Sequence, residues 1–311
     1  MVKGTAASAK PRLLCGMAFG VAQRAFIGAA CVLFGAAAAG GAVGDAQRGR
    51  ALFALAAGCG CHTGPDGPVA AGGGKVPTPF GTFYGSNITP EPETGVGHWS
   101  DAELAAAIRQ GTRRDGSAES PAMPYYQYAG MSDTDVADLI AYLRTLPAVR
   151  RPNRAHEGEL PLPRWSYRVW RWLFVPRTRP PRVAPAHGVE RGRYLANHVS
   201  ICTDCHTPRT WLGAPDTALY LAGSTHGPAG QQVPNITPSK SGIGDWGADD
   251  ITNVLTLGML PDFDNVQGLM ADVVDGHGGG PGFKDAPLDD LQAIGAYLKV
   301  VPPIEHDVGG D

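Results

Sequence analysis

The chain has 311 residues, 43 of them glycine and 27 proline, and a formal net charge of −3. That length suits a targeting segment plus two domains of about 100 to 130 residues each, and the glycine and proline content points to loop-rich domains. The slight acidic balance argues against a nucleic-acid partner, which calls for a strong basic excess, and leaves protein partners open.

Residues 1–44 read as an export signal. Lys3, Lys10, Arg12 and Arg24 supply positive charge, Ala25 to Gly44 is uncharged, and the small residues at 37–39 and 42–44 offer cleavage sites. The alternative is an uncleaved N-terminal anchor, because the uncharged run approaches the roughly 20 residues that span a bilayer. A helix is predicted from about Ala46 into the first cysteine pair, with Leu52, Leu55 and Ala56 on one face. Ser100 and Asp101 cap a second helix through about Gln110, and Ser132 opens a third that ends before Pro147. Further helices are predicted from about Val189 to Ile201 and from Leu288 to Val301. No alternating run is long enough for a substantial sheet, so the fold class is mostly α.

The same elements occur twice. Arg48-Gly49-Arg50-Ala51-Leu52 recurs as Arg191-Gly192-Arg193-Tyr194-Leu195, and His62 as His206, 144 residues on. Asn87-Ile88-Thr89-Pro90 recurs as Asn235-Ile236-Thr237-Pro238, and Gly95-Val96-Gly97-His98-Trp99 as Gly242-Ile243-Gly244-Asp245-Trp246. Ala141-Tyr142-Leu143 recurs as Ala296-Tyr297-Leu298. Five matches in register indicate a duplicated domain. The predicted boundaries are 45–150 and 185–304, with a linker at 151–184 and a tail at 305–311. Nine arginines lie between Arg150 and Arg182, interleaved with Trp165, Tyr167, Trp170, Trp172 and Phe174. The simpler reading of this linker is packing across both domains; the sharper one is a docking or membrane-surface element.

Six cysteines are present; Cys15 and Cys31 fall in the N-terminal segment, and the other four sit next to a histidine. In Cys202-Thr203-Asp204-Cys205-His206 the two thiols lie one helical turn apart. They can add to the two vinyl groups of one haem, with His206 supplying an imidazole nitrogen to the iron. Zinc would want two further Cys or His ligands at suitable spacing, and a dithiol redox site would want a βαβ context. Cys59-Gly60-Cys61-His62 has one residue fewer between its thiols. Residues two apart on a helix point about 200° apart, so either Gly60 allows a distorted turn and both thioethers form, or Cys61 alone is attached. Two covalently bound haem c groups are therefore expected.

Methionine is the expected sixth ligand, because a Met/His pair raises the potential as in electron carriers. Met123 lies 61 residues after His62 and Met270 lies 64 after His206, a matched spacing that favours them over Met131 and Met259. His98, His198, His226 and His277 are available as alternative ligands, though each alone reads as an ordinary surface or loop residue. Trp99 and Trp246 are candidates for the haem pocket, and Arg209 for a haem propionate.

These segments, together with Gly81 to Tyr84, Met123-Pro124-Tyr125 and Met270 to Val274, resemble the multihaem cytochrome c subunits of bacterial membrane-associated alcohol, aldehyde and gluconate dehydrogenases. The resemblance runs from about residue 46 to 303. It implies two tandem class I cytochrome c-like domains with His/Met-ligated iron. It also implies an electron-transfer role rather than an enzyme, with a partner dehydrogenase as donor and quinone, a cytochrome or an oxidase as acceptor. The implied location is the periplasm, with attachment to the cytoplasmic membrane if the anchor is kept. Two features depart from the family: there are two Cys-His motifs where members often carry three haem domains, and the first motif is short. The competing reading is a dihaem redox enzyme such as a peroxidase, which needs one iron with an open position.

Overall fold

The computed structural model describes residues 43–65, 67–159 and 161–309, so the N-terminal segment and its two cysteines lie outside it. The described residues fall within one compact unit. Ten α-helices occur among the described residues, joined by long loops and one small hairpin.

Helix α1 (Ala46–Leu55) starts where Asp45 accepts hydrogen bonds from the backbone N–H groups of Gln47 and Arg48, at 2.8 and 3.1 Å. Such a cap satisfies donors that have no partner inside the helix. α1 stops at Leu55, short of the cysteine pair it was expected to reach, because the chain turns left-handed from Ala57. Ser100 and Glu103 form the reciprocal cap of α2 (Asp101–Gln110), and Gly111 ends it at φ +55°. α4 (Asp133–Thr145) is capped by Ser132, as the sequence indicated. The later counterparts are α6 (Gly188–His198), α8 (Ala248–Leu257) and α10 (Leu288–Leu298). Short helices α3 (Tyr125–Tyr128) and α9 (Gly268–Asp275) follow α2 and α8. α5 (Trp165–Phe174) lies in the arginine-rich segment, and α7 (Cys202–His206) carries the second motif.

α1 packs on α4 and α6 on α10. In each pair a glycine sits at the closest approach. A Cβ at Gly49 would collide with the Asp138 carbonyl, and one at Gly192 with the Ala293 carbonyl. The first pair is tied by Arg48, whose Nε and Nη2 donate to the buried Asp138 carboxylate at 2.8 and 3.1 Å. Arg191 makes the same fork to Asp290 at 2.8 and 2.9 Å. Buried apolar residues of both halves form a single core, with Phe53, Leu55, Leu195, Leu291 and Ile294 fully enclosed.

Asn87 and Asn235 are nearly fully buried and play the same part in each half. Each side-chain oxygen accepts from the threonine two residues on, and each amide donates to the carbonyl of Val149 or Ile304 at 2.7 or 2.8 Å. Chain just beyond both expected boundaries is tied down as well. Residues 149–157 pack on the first half, and Glu305 accepts from the N–H groups of Lys240 and Ser241 at 3.0 and 3.2 Å. Among the described residues no helix is long and apolar enough to cross a membrane.

Candidate functional site

Both Cys-His motifs lie directly after the helix that packs on the last long helix of its own half, α1 on α4 in one case and α6 on α10 in the other. After His198 the chain passes through Ile201 at φ +44° and then makes α7, so Cys202 and Cys205 sit on one short helix as expected. The first motif absorbs its missing residue differently. Ala57, Gly58 and Cys59 are left-handed in succession, at φ +53°, +62° and +47°, and Ala57–His62 forms a 3₁₀ turn. Gly60 is not the residue that distorts: the left-handed backbone falls just before it. Two non-glycine residues in this region cost roughly 1–2 kcal/mol each, so the surrounding structure has to hold the turn. The ring of His277, from the second half, lies against the Gly60 α-carbon and leaves no room for a Cβ. Antiparallel strands β1 (Lys75–Thr78) and β2 (Gly81–Tyr84) brace the other side; this hairpin was not foreseen. Gly74 and Gly85 at its ends press on the Cys61 carbonyl.

The two histidines are held alike. His62 Nδ1 lies 2.7 Å from the Ser86 carbonyl, and His206 Nδ1 lies 2.8 Å from the Pro234 carbonyl. A carbonyl can only accept, so Nδ1 carries the proton and Nε2 keeps its lone pair. That is the tautomer an iron ligand needs. The carbonyl of His62 in turn accepts from Gly72 N–H at 2.7 Å, and that of His206 from Gly223 N–H at 2.8 Å. The threonines that follow, Thr63 and Thr207, each accept a backbone N–H at 3.0 Å. Sequence reading passed over this pair, although His-Thr recurs in register.

Cys59, Cys61, Cys202 and Cys205 form no disulfide, and burial pushes the Cys59 and Cys202 thiols up to about 12. Cys61 retains accessible surface, yet desolvation pushes its thiol up to about 11. Burial also raises Cys205 and lowers both His62 and His206. Desolvation of this kind keeps a thiol neutral. Two neutral thiols and an imidazole with a free Nε2 fit covalent attachment of haem.

Met123 stands in the turn leading into α3 and Met270 in the first turn of α9; both are half-buried. Met131 is enclosed in the core, in keeping with a packing role, and its carbonyl accepts from Arg109 at 3.2 Å. Trp99 and Trp246 pack on the edge of the core. Their carbonyls are gripped by a cation at the end of the partner helix, Arg144 in one half and Lys299 in the other, which also holds neighbouring carbonyls of the same turn. Arg209, the candidate for a haem propionate, also makes contacts within the protein. It pairs with the Asp204 carboxylate and donates to the Tyr126 hydroxyl and the Gly213 carbonyl.

That pairing belongs to a network between the halves. Gln127 Nε2 donates to Asp204 Oδ1 at 2.8 Å, while Thr203 donates to Gln127 Oε1. His198 Nδ1 lies 2.8 Å from the Gln127 carbonyl. Tyr128 is pushed well up by burial and by its proximity to Cys59, Cys61, Asp204 and Cys205. The two motifs therefore flank one tyrosine.

The Cytochrome c family model matches residues 46–147. Over 275 residues the chain is 40% identical to a protein of Cereibacter sphaeroides described as a diheme cytochrome c-type protein, covering 85% of this chain and 88% of that one. This chain belongs to the c-type cytochrome family. It is also 36% identical over 312 residues to the cytochrome c subunit of an alcohol dehydrogenase (quinone) of Gluconobacter oxydans, spanning 95% of this cytochrome and 63% of that subunit. With the gluconate 2-dehydrogenase cytochrome c subunit of Pantoea cypripedii it is 34% identical over 253 residues, 77% of this cytochrome and 55% of that subunit. The cytochrome thus spans between about half and two thirds of these dehydrogenase subunits. Membership makes it an electron-transfer protein of mostly α fold that carries covalently bound haem c.

Proposed function

We propose that this cytochrome is a dihaem electron-transfer subunit or carrier, built as two tandem cytochrome c-like domains joined by an arginine- and tryptophan-rich segment. Cys59, Cys61 and His62 would hold one haem, and Cys202, Cys205 and His206 the other, with Met123 and Met270 as sixth ligands. Haem supplies one-electron chemistry when bound. The protein supplies the neutral thiols, the fixed imidazole tautomer and desolvated surroundings. The observation that carries the reading is the repeated anchoring of His62 and His206, each with Nδ1 on the carbonyl that precedes an Asn-Ile-Thr-Pro loop. Its donor would be a periplasmic or membrane-associated dehydrogenase, as the names of its relatives suggest, and its acceptor a quinone, cytochrome or oxidase on the route to respiration. Export to the periplasm follows from the same reading. The alternative of a dihaem peroxidase finds no support among these relatives.

The first test is the intact mass of the exported protein after denaturation, which removes loosely held haem and keeps covalent haem. Two haem masses are expected; one would abandon the dihaem reading and leave the first motif degenerate. Met123→Ala and Met270→Ala test the axial ligands. Each should open one site to carbon monoxide in the reduced protein, where the wild type shows little spectral change. A variant that keeps the wild-type spectrum would remove that methionine from the ligand set.

A further inference from the structure

Exposed apolar side chains concentrate on α5. Trp165, Val169, Trp172 and Leu173 are 64, 44, 71 and 57% exposed, and their spacing places them on one stripe of the helix. Other side chains of α5 fasten it to the body. Tyr167 is buried and donates to Glu159 at 2.6 Å, and Trp170 Nε1 donates to the Leu212 carbonyl at 2.9 Å. The Trp170 ring meets Tyr126 edge-on at 5.6 Å. The outer stripe is therefore not needed to hold the helix in place.

The charge carried by the segment itself is of one sign. Residues 161–189 contain six arginines and no aspartate or glutamate, in a chain of net charge −3. Arg164, Arg168 and Arg171 reach back to the carbonyls of Ala118, Gly116 and Gln110. Those acceptors are neutral, so the positive charge is positioned without being cancelled. A groove of about 980 Å³ runs along α5; Arg109, Arg168, Arg171 and Arg177 line it, and no carboxylate does.

We propose that α5 lies in the surface of an anionic phospholipid bilayer, with the four apolar side chains at the boundary between headgroups and acyl chains and the arginines on lipid phosphates. An exposed apolar face bearing two tryptophans, flanked by arginine, is the pattern of helices that lie in this interface. A protein partner would need an acidic concavity shaped to the same face. The inference is independent of haem number and axial ligation.

The test is co-sedimentation of the full-length holoprotein with vesicles of phosphatidylcholine alone and of phosphatidylcholine mixed with phosphatidylglycerol. The mixed vesicles should bind it better, and the preference should fade as salt is raised. Trp172→Ser combined with Leu173→Ser should weaken binding on the order of tenfold. Arg177→Glu combined with Arg179→Glu should abolish the preference for the anionic vesicles. All four side chains are exposed, and unchanged haem absorbance reports an intact fold. The N-terminal segment contributes equally to wild type and variants, so the difference between them reports α5. Equal binding of wild type and the Trp172/Leu173 variant, or no preference for anionic vesicles, overturns the proposal.

Discussion

At Gly60 the two halves meet with no space to spare, since the His277 ring occupies the position of any Cβ. Gly60→Ala is expected to cost about 1–3 kcal/mol of stability and to lower the haem content at the first motif. Thermal unfolding and intact mass would measure the two effects. Adding His277→Ala to Gly60→Ala should restore part of both; no recovery would mean that the glycine is needed for the backbone alone. His277 was read from the sequence as a loop histidine, because nothing local links residues 60 and 277. A second histidine gives a pH dependence. Burial lowers the pKa of His198, and its hydrogen bond to Gln127 only partly offsets this. The unfolded chain then binds the proton more readily than the folded one. The stability this provides is present above the unfolded value of about 6.5 and is lost as pH falls toward the lower folded value. Melting temperatures measured on either side of that value should show the loss, and His198→Gln should flatten the dependence.

Helix crossings carry the next level of organisation. Gly49→Ala and Gly192→Ala each drive a methyl into a carbonyl of the partner helix, and a loss of about 3 kcal/mol or somewhat less is expected for each in denaturant titration. If either variant were as stable as the wild type, the helices would not be in contact there. Arg48→Met should also destabilise in the same titration, since it strands the buried Asp138 carboxylate with the Asp45 N–H as its remaining partner. Much of this level was legible. Ser100 and Ser132 gave the starts of α2 and α4, because caps are written in adjacent residues. The Arg-Gly pairs of α1 and α6 were visible as a repeat, though not as crossings. The hairpin was missed because its strands are four residues long and include Pro77. The two faces of α5 could not be separated either: every aromatic in the segment looks alike until Leu212 and Tyr126 show which ones have partners.

For the whole molecule, a shared core and a network across the halves predict cooperative behaviour. Denaturant unfolding followed by tryptophan emission and by haem absorbance should give one coincident transition. Tyr194 accepts from Ser132 N–H at 2.9 Å and donates to Asp135 at 2.7 Å, both in the other half. Tyr194→Phe should therefore lower the midpoint by an amount equivalent to about 1–2 kcal/mol without splitting the transition; two separated transitions would mean that the halves unfold independently. The repeat was plain in the sequence, but the contacts between its two parts were not, since they join distant residues that differ between the repeats, as Tyr194 does from Ala51. The carbonyls behind His62 and His206 illustrate how the copies have diverged. One belongs to a serine and the other to a proline, at separations of 24 and 28 residues. What the imidazole reads is main chain, so mutation at either position is nearly silent, and the loop between can grow or shrink by several residues. The short step from that carbonyl to the buried asparagine beside it has no such latitude. Inheritance here should be tolerant of spelling at residues 86 and 234, tolerant of length upstream, and intolerant of a single inserted codon immediately after them.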